Sequence, residues 1–405
     1  MESGSKAMSN MKWIVFLLIG MLLQWCFPLH SKASEPLSQE DVNARLGRNV
    51  SIADLIDYAY QENPSIKAAR EAWRSIVEKY RITTAYPNPQ IMVTYFPDPI
   101  ETRLGPQDWN ASISQKIPFP GKLSKAGEIV AADARIARLK LDKAVRDVVV
   151  GIRESYHELH YIRAAKKVAA ENMKLLEHLR KVAESSYAQD RTALIDMVKA
   201  QSQTGQLRYD ILLLDDLEKT EITHLNGLLN RAPDAKIGVL DPQPKLPIEF
   251  NLEEMYVLAE TYQEEIQMSQ IGVEKSELNA DLARYKNLPD FKLGLVYSSI
   301  GNPDVATPPR DAGEDALGIQ AGVTIPLWFG KNKSRILRAK AEMKKAKAKK
   351  TEHINKTRTQ IRSLFFRLEN ARRLIELYAK ELLPQAAQSM EIAETWFQEG
   401  ESTFS

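Results

Sequence analysis

Four stretches of the chain alternate apolar and polar residues with period two, the pattern of strands that keep one face apolar. In Gln90–Phe96 the apolar face is Ile91, Val93 and Tyr95. In Asn110–Ile117 it is Ala111, Ile113 and Ile117, opposite Ser112, Ser114 and Lys116. In Phe291–Ser298, Phe291, Leu293, Leu295 and Tyr297 oppose Lys292, Gly294 and Ser298. In Leu317–Ile325, five apolar residues from Leu317 to Ile325 oppose Gly318, Gln320, Gly322 and Thr324. Strands of about eight or nine residues approach the length that crosses a bilayer when tilted. The segments form two hairpins, and their connections, Pro97–Asp108 and Ser299–Ala316, are rich in Pro, Gly and Asp and read as long exposed loops.

Between the hairpins the period changes to that of helices. Leu141, Val145, Val148, Ile152, Leu159 and Ile162 recur at spacings of three, four and seven, in a segment rich in alanine. The spacing predicts a helix from about Leu123 to about Tyr187, on the order of 100 Å long at 1.5 Å per residue. Gln189–Thr192 reads as a turn, with Thr192 a candidate N-cap, and a return helix is expected to about Leu229.

The arrangement occurs twice. Asp54–Tyr95 reads as helix, proline break and strand, and Glu254–Val296 repeats it about 200 residues later. Each copy reaches a corner, Ile117-Pro118-Phe119-Pro120-Gly121-Lys122 or Ile325-Pro326-Leu327-Trp328-Phe329-Gly330-Lys331, and then a long helix, the second expected from about Lys333 to Phe397. Pro120-Gly121 and Gly330 are expected to break the pleat and release the helix. The division read from this is a targeting segment at 1–33, a first repeat at 34–230, a proline-rich linker at 231–250 and a second repeat at 251–405. A duplicated half-domain fits better than solenoid units of about 20–50 residues.

Aromatic residues bracket the strands. Trp109, Tyr95 and Phe96 sit at the loop end, and Phe119, Phe291, Trp328 and Phe329 at the helix end. Membrane barrels place such rings at both lipid interfaces, because the rings are apolar with a polar edge. A polar face of Gly, Ser, Thr and Gln suits a wet lumen. The alternative is a small soluble sheet packed under helices.

Charge adds little: the net charge is +2 and charged residues, 27% of the chain, are well mixed. This suits solvated helices and gives nucleic acid no support as a partner. Lys6 and Lys12 precede an apolar run from Trp13 to Phe27, and Ser31-Lys32-Ala33 offers small residues for cleavage, the form of an export signal. The only cysteine, Cys26, lies inside that run, so the exported chain is expected to carry no disulfide. Lipidation of Cys26 is the alternative, disfavoured by the bulky neighbours Gln24 and Trp25.

The chain resembles the TolC-like outer-membrane efflux proteins, and within them the branch paired with heavy-metal (cobalt-zinc-cadmium type) exporters. The residues that carry the resemblance are Ser114–Lys122, Tyr187–Asp196, Ile325–Lys331 and Phe397–Ser402. It implies a mainly α fold with a small β part: an α/β barrel with four strands and long coiled-coil-like helices per protomer, in two tandem repeats. It also implies a homotrimer in the outer membrane with a long periplasmic portion, contacting lipid, a periplasmic adaptor (membrane fusion) protein and an inner-membrane RND-type pump. The implied activity is a passive exit duct for heavy-metal cations, without catalysis or cofactor. Other readings are a duct for drugs or for type I secretion, and a soluble periplasmic scaffold or non-functional fragment. Matching Tyr187 to Phe397 places Ser405 about nine residues past the second tip, so the last helix is expected to be missing and the chain truncated.

By the resemblance, Tyr187, Asp190, Arg191 and Asp196 hold the channel tip shut and meet the adaptor; otherwise they form a solvated turn. His157-Glu158-Leu159-His160 lacks the zinc-protease spacing and reads as surface or packing histidines. The basic run Arg335, Arg338, Lys340, Lys344, Lys345, Lys347, Lys349 and Lys350 is echoed by Lys122, Lys125, Arg135, Arg138, Lys140 and Lys143. It reads as solvated helix surface or as a tunnel mouth. No nucleophile–base, phosphate-loop or metal constellation is present, so no enzyme is expected.

Overall fold

The computed structural model describes residues 46–188, 194–242 and 251–399. In chain order the elements are β1 (Asn49–Val50), α1 (Ile52–Glu62), α2 (Pro64–Thr84), β2 (Gln90–Thr102), β3 (Gly105–Ile117), α3 (Lys122–Ala188), α4 (Leu194–Leu228), β4 (Val239–Leu240), α5 (Leu252–Tyr262), α6 (Glu264–Tyr285), β5 (Asp290–Ile300), β6 (Ala316–Thr324), α7 (Phe329–Leu377), a one-turn π-helical segment (Tyr378–Leu382) and α8 (Leu383–Glu399). The targeting segment and Cys26 lie outside the described residues.

The helix that opens each copy is broken, where the periodicity predicts one continuous helix. Asn63 is extended (φ −62°, ψ 124°), and its Oδ1 accepts from the backbone N–H groups of Ser65 and Ile66. Pro64 follows at the first helical position, where its missing N–H costs nothing. In the second copy Gln263 has the same backbone (φ −70°, ψ 124°) and caps Ile266 from its side chain without a proline. The break lets α1 pack on α3 while α2 runs along α3, and α5 pack on α7 while α6 fits between α3 and α7.

The strands form one antiparallel sheet in the order β2-β3-β5-β6. The first hairpin departs from the expected long loop at Pro97–Asp108. Its strands run on to Thr102 and from Gly105, leaving only residues 103–104 as the turn. A register shift between Tyr95 and Ile100 takes up Pro97 and Pro99, whose missing N–H groups a continuous ladder would leave unmatched. Gly105 has φ +136°, and the Thr102 hydroxyl donates to its carbonyl at 2.7 Å. The second connection stays open, between Ile300 and Ala316.

The core lies at the waist. Leu46, Val50, Leu55, Ile66, Leu141, Val148, Ile152, Tyr156, Leu159, Leu225, Leu229 and Leu240 are buried together there. The stripe read from α3 therefore faces inward, with Val145 packed at its edge. The linker contributes a strand that the sequence gives no hint of: β4 pairs in parallel with β1. The Tyr156 hydroxyl, fully buried, donates toward the carbonyls of Val50 (3.1 Å) and Asp241 (2.7 Å) and so ties α3 to both strands. Arg163 adds a second tie. It pairs with Glu218 of α4 at 2.8 Å and donates to the carbonyls of Ile237 and Gly238.

Candidate membrane-channel sheet

Register, and not sequence alone, joins the four strands into a single surface. Ile91 faces Ile113, Ile113 faces Leu295, and Leu295 faces Ile319. The next row is Val93, Ala111, Tyr297 and Leu317. Toward the helices come a mixed row, Gln115, Leu293 and Ala321, and then Ile117, Phe291 and Val323. These side chains are bare: Ile319 is 86% exposed, Ile91 75% and Leu295 49%. A contiguous apolar face of this extent marks a surface made for lipid or protein and not for water.

The opposite face carries the other parity. Its rows are Thr94, Asn110, Ser298 and Ala316; Met92, Ser112, Val296 and Gly318; and Gln90, Ser114, Gly294 and Gln320. Met92, Val296 and Ala316 are its apolar members. Gly294 must be glycine for space, because a Cβ there would come within 2.8 Å of the Ile113 carbonyl oxygen. At the helix end, Lys116 stands opposite Lys292, beside Asp290.

The aromatic residues take positions at the two ends. Trp109 packs on Tyr297 with centroids 5.4 Å apart near the loops, and Phe119 stacks on Phe291 at 6.4 Å near the helices. Trp328 and Phe329, at 76% and 79% exposure, stand out from the second corner.

The two corners differ. In the first, Gly121 takes φ +92° with the Tyr285 ring packed over it; a Cβ there would come within 2.6 Å of that ring. Asp290 Oδ1 accepts from the Phe119 backbone N–H at 3.1 Å and from Lys122 Nζ at 2.7 Å, and Lys122 also donates to the Leu288 carbonyl. Ile117, Pro118 and Pro120 bring the chain to this anchor. In the second corner Gly330 does not break the pleat. It lies inside the first turn of α7, which begins at Phe329 and so earlier than Lys333. Ile325 and Pro326 make the break, with Leu327 N donating to Ile325 O and Asn332 Nδ2 to Pro326 O. Lys331 is exposed. Of the two corners, only the first places its glycine at positive φ and under a ring.

At the far end of α3, Tyr187 is exposed. Asp190 and Arg191 lie outside the described residues, Asp196 is placed only as a backbone position in α4, and Phe397 likewise in α8. His157 and His160 are exposed on α3, and among the described residues no three His, Cys, Asp or Glu side chains converge as a metal site would require. The basic run partly lines a groove of about 670 Å³ between α6 and α7, with Lys275, Lys286, Arg335 and Arg338 among its walls. Lys345 pairs with Glu342 and Lys347 with Glu277, as solvated helix surfaces do.

Ion pairs also bind α3 to its neighbours. Arg146 reaches Glu264 and Glu265 of α6, and Lys275 reaches Asp133 at 2.5 Å. Burial alone would raise the Glu218 carboxyl, but hydrogen bonds from Lys166 and Arg163 hold it below the ordinary glutamate range. Glu265 is likewise lowered: its burial is outweighed by its own backbone N–H, Lys143 and Arg146.

One small antiparallel sheet with a bare apolar face, set on helices of up to 67 residues, is the architecture of the TolC-like fold. Residues 256–404 match the protein family described as Outer membrane efflux protein. Among solved structures, the channel CusC aligns with TM-score 0.71 at 15% identity, over 87% of this chain and 83% of its own. The outer membrane protein VceC of Vibrio cholerae gives 0.72 at 17%, covering 87% of each chain. The CmeC outer membrane channel of Campylobacter jejuni gives 0.65 at 12%, over 87% of this chain and 77% of its own. No curated protein matches the chain. At these identities the structures establish the TolC-like fold.

Proposed function

We propose that this protein is the outer-membrane channel component of a tripartite efflux system, a passive exit duct that works as a homotrimer. The observation that carries the reading is the apolar face running through β2, β3, β5 and β6, interrupted at Gln115, while among the described residues both outer strands lack a partner on their outer edge. In lipid every backbone N–H and C=O needs a partner, so an open four-stranded sheet cannot span a membrane alone. The smallest membrane barrels have about eight strands. Three copies joined β6 to β2 would close twelve strands and leave no free edge.

On this reading each repeat supplies one hairpin, and the helices continue as a periplasmic tunnel. Residues 1–33 serve as a cleaved export signal. The tip segment with Tyr187, Asp190, Arg191 and Asp196 holds the tunnel shut and meets a periplasmic adaptor, behind which stands an RND-type inner-membrane pump. Trp109, Phe119, Trp328 and Phe329 sit at the lipid interfaces. The duct performs no chemistry, and its energy comes from the pump. The sequence resemblance favours heavy-metal species as cargo over drugs or secreted proteins.

The full chain, reconstituted into planar bilayers, is expected to give discrete conductance steps and to migrate on gels as a detergent-dependent, heat-sensitive trimer. A chain that stays soluble without detergent, as a monomer with no conductance, would instead be the periplasmic scaffold.

A further inference from the structure

We infer that the helix end of the sheet's polar face forms a cationic collar that makes the duct select for anionic cargo over free cations. The inference rests on the channel reading above and names the cargo class. Lys116 and Lys292 are directly opposite each other on neighbouring strands, an arrangement that destabilises a sheet by like-charge repulsion. Lys122 rises beside them from the corner. The carboxylate of Asp290 is shared, 3.2 Å from Lys116 Nζ and 2.7 Å from Lys122 Nζ. Lys292 has no ion pair among the described residues.

The neighbouring rows offer no compensation; Glu101 lies beyond the register shift, at the loop end. Across the paired stretches Gln90–Tyr95, Trp109–Ile117, Asp290–Ser299 and Ala316–Thr324, Asp290 is the only carboxylate. Three ammonium groups against one carboxylate leave two positive charges in each protomer. Their parity places them with Ser114, Gly294 and Gln320, away from the apolar rows. Three copies around a narrow lumen would bring six such charges together. A water-filled passage with low-dielectric walls focuses a field of this kind and concentrates ions of opposite sign. Rings of basic residues are the usual device of anion pores. A metal ion leaving by this route would do so as a neutral or anionic complex, its charge masked by its ligands.

Gln320 is exposed on the same face, two residues along the strand from the pair of Lys292. The test uses the full chain in liposomes with Gln320→Cys and Cys26→Ser. Anionic and cationic methanethiosulfonates of matched size are compared, each normalised to its rate with a free thiol. The anionic reagent is expected to react about tenfold faster, and Lys292→Gln with Lys116→Gln should bring the two rates together. Equal rates in the parent, or a preference that survives both substitutions, overturns the collar. If Gln320→Cys reacts with neither reagent while Ile319→Cys, on the apolar face, reacts readily, the faces are reversed and the channel reading itself fails.

Discussion

Replacing Leu295 by arginine separates a lipid-facing sheet from a water-facing one. Leu295 sits at the middle of β5, between Ile113 and Ile319, and is 49% exposed in the single chain. If that face meets the bilayer near its midplane, an arginine there costs about 2–4 kcal/mol per protomer. At 1.4 kcal/mol per tenfold, this lowers the folded-to-unfolded ratio by roughly 30- to 700-fold for each chain. Gln320→Arg is the matched control. It lies one position from Ile319 on β6 but on the opposite face, so the new guanidinium would enter water. The assay is urea unfolding of the trimer in liposomes, read by loss of the heat-sensitive band and by tryptophan fluorescence. Leu295→Arg should shift the midpoint strongly and Gln320→Arg little. In a soluble scaffold both positions face water, and Leu295→Arg would change stability by less than about 0.5 kcal/mol. Two equal, small effects would refute the assignment of the apolar rows to lipid.

Three further outcomes follow from the helical part. Tyr156→Phe leaves the packing intact but strips the Asp241 carbonyl of its hydroxyl donor and leaves the Val50 carbonyl with the Asp241 N–H, and should cost about 1–2 kcal/mol in denaturant unfolding of the α3 region. Gly121→Ala forces a side chain into positive φ and against the Tyr285 ring. It should destabilise by at least about 1–2 kcal/mol, whereas Gly330→Ala, inside a helix in open space, should be neutral or stabilising in the same melt. The lowered carboxyls of Glu218 and Glu265 stabilise the native state fully above the ordinary glutamate value of about 4.3, and that contribution is lost as pH falls through their lower native values. The thermal midpoint should therefore be flat near neutrality and drop on acidification, with a smaller drop in Glu218→Gln.

The periodicities were enough to find the strands and the long helices, because burial on one side imposes a period of two or of 3.6 wherever a face meets the core or lipid. Features set by one or two local hydrogen bonds were not legible. The break at Asn63-Pro64 carries a proline that marks it in retrospect, but Gln263 makes the same break with an amide cap and no proline. Pro97 and Pro99 looked like the start of a loop, because a proline usually ends pairing. Here a register shift passes them and the ladder resumes at Ile100. The pairing of β1 with β4 involves two residues on each side, too few for any alternation to register. Gly330 resembles a breaker in sequence, as Gly121 does, but lies inside the first turn of α7. The difference lies in the turn: Gly121 has positive φ and the Tyr285 ring where a Cβ would sit, whereas Gly330 is helical and nothing crowds it.

The lysine collar belongs to a further class, one that no local reading reaches. Lys116 and Lys292 are 176 positions apart, and each alone is an ordinary polar-face residue at a strand end. Only the β3–β5 register puts them opposite each other, and a one-residue slip would send one of them to the apolar face. Register here is fixed by the apolar rows, since Ile113 must meet Leu295 and Ile117 must meet Phe291 for the lipid-side face to be continuous. The same constraint that makes the sheet fit a membrane therefore brings two like charges together, against the preference of an isolated hairpin. Asp290 relieves Lys116 but is drawn equally to Lys122 and to the Phe119 backbone at the corner. Its charge is committed to holding the strand-to-helix turn, and on the channel reading proposed above the positive charge of Lys292 is left to the lumen.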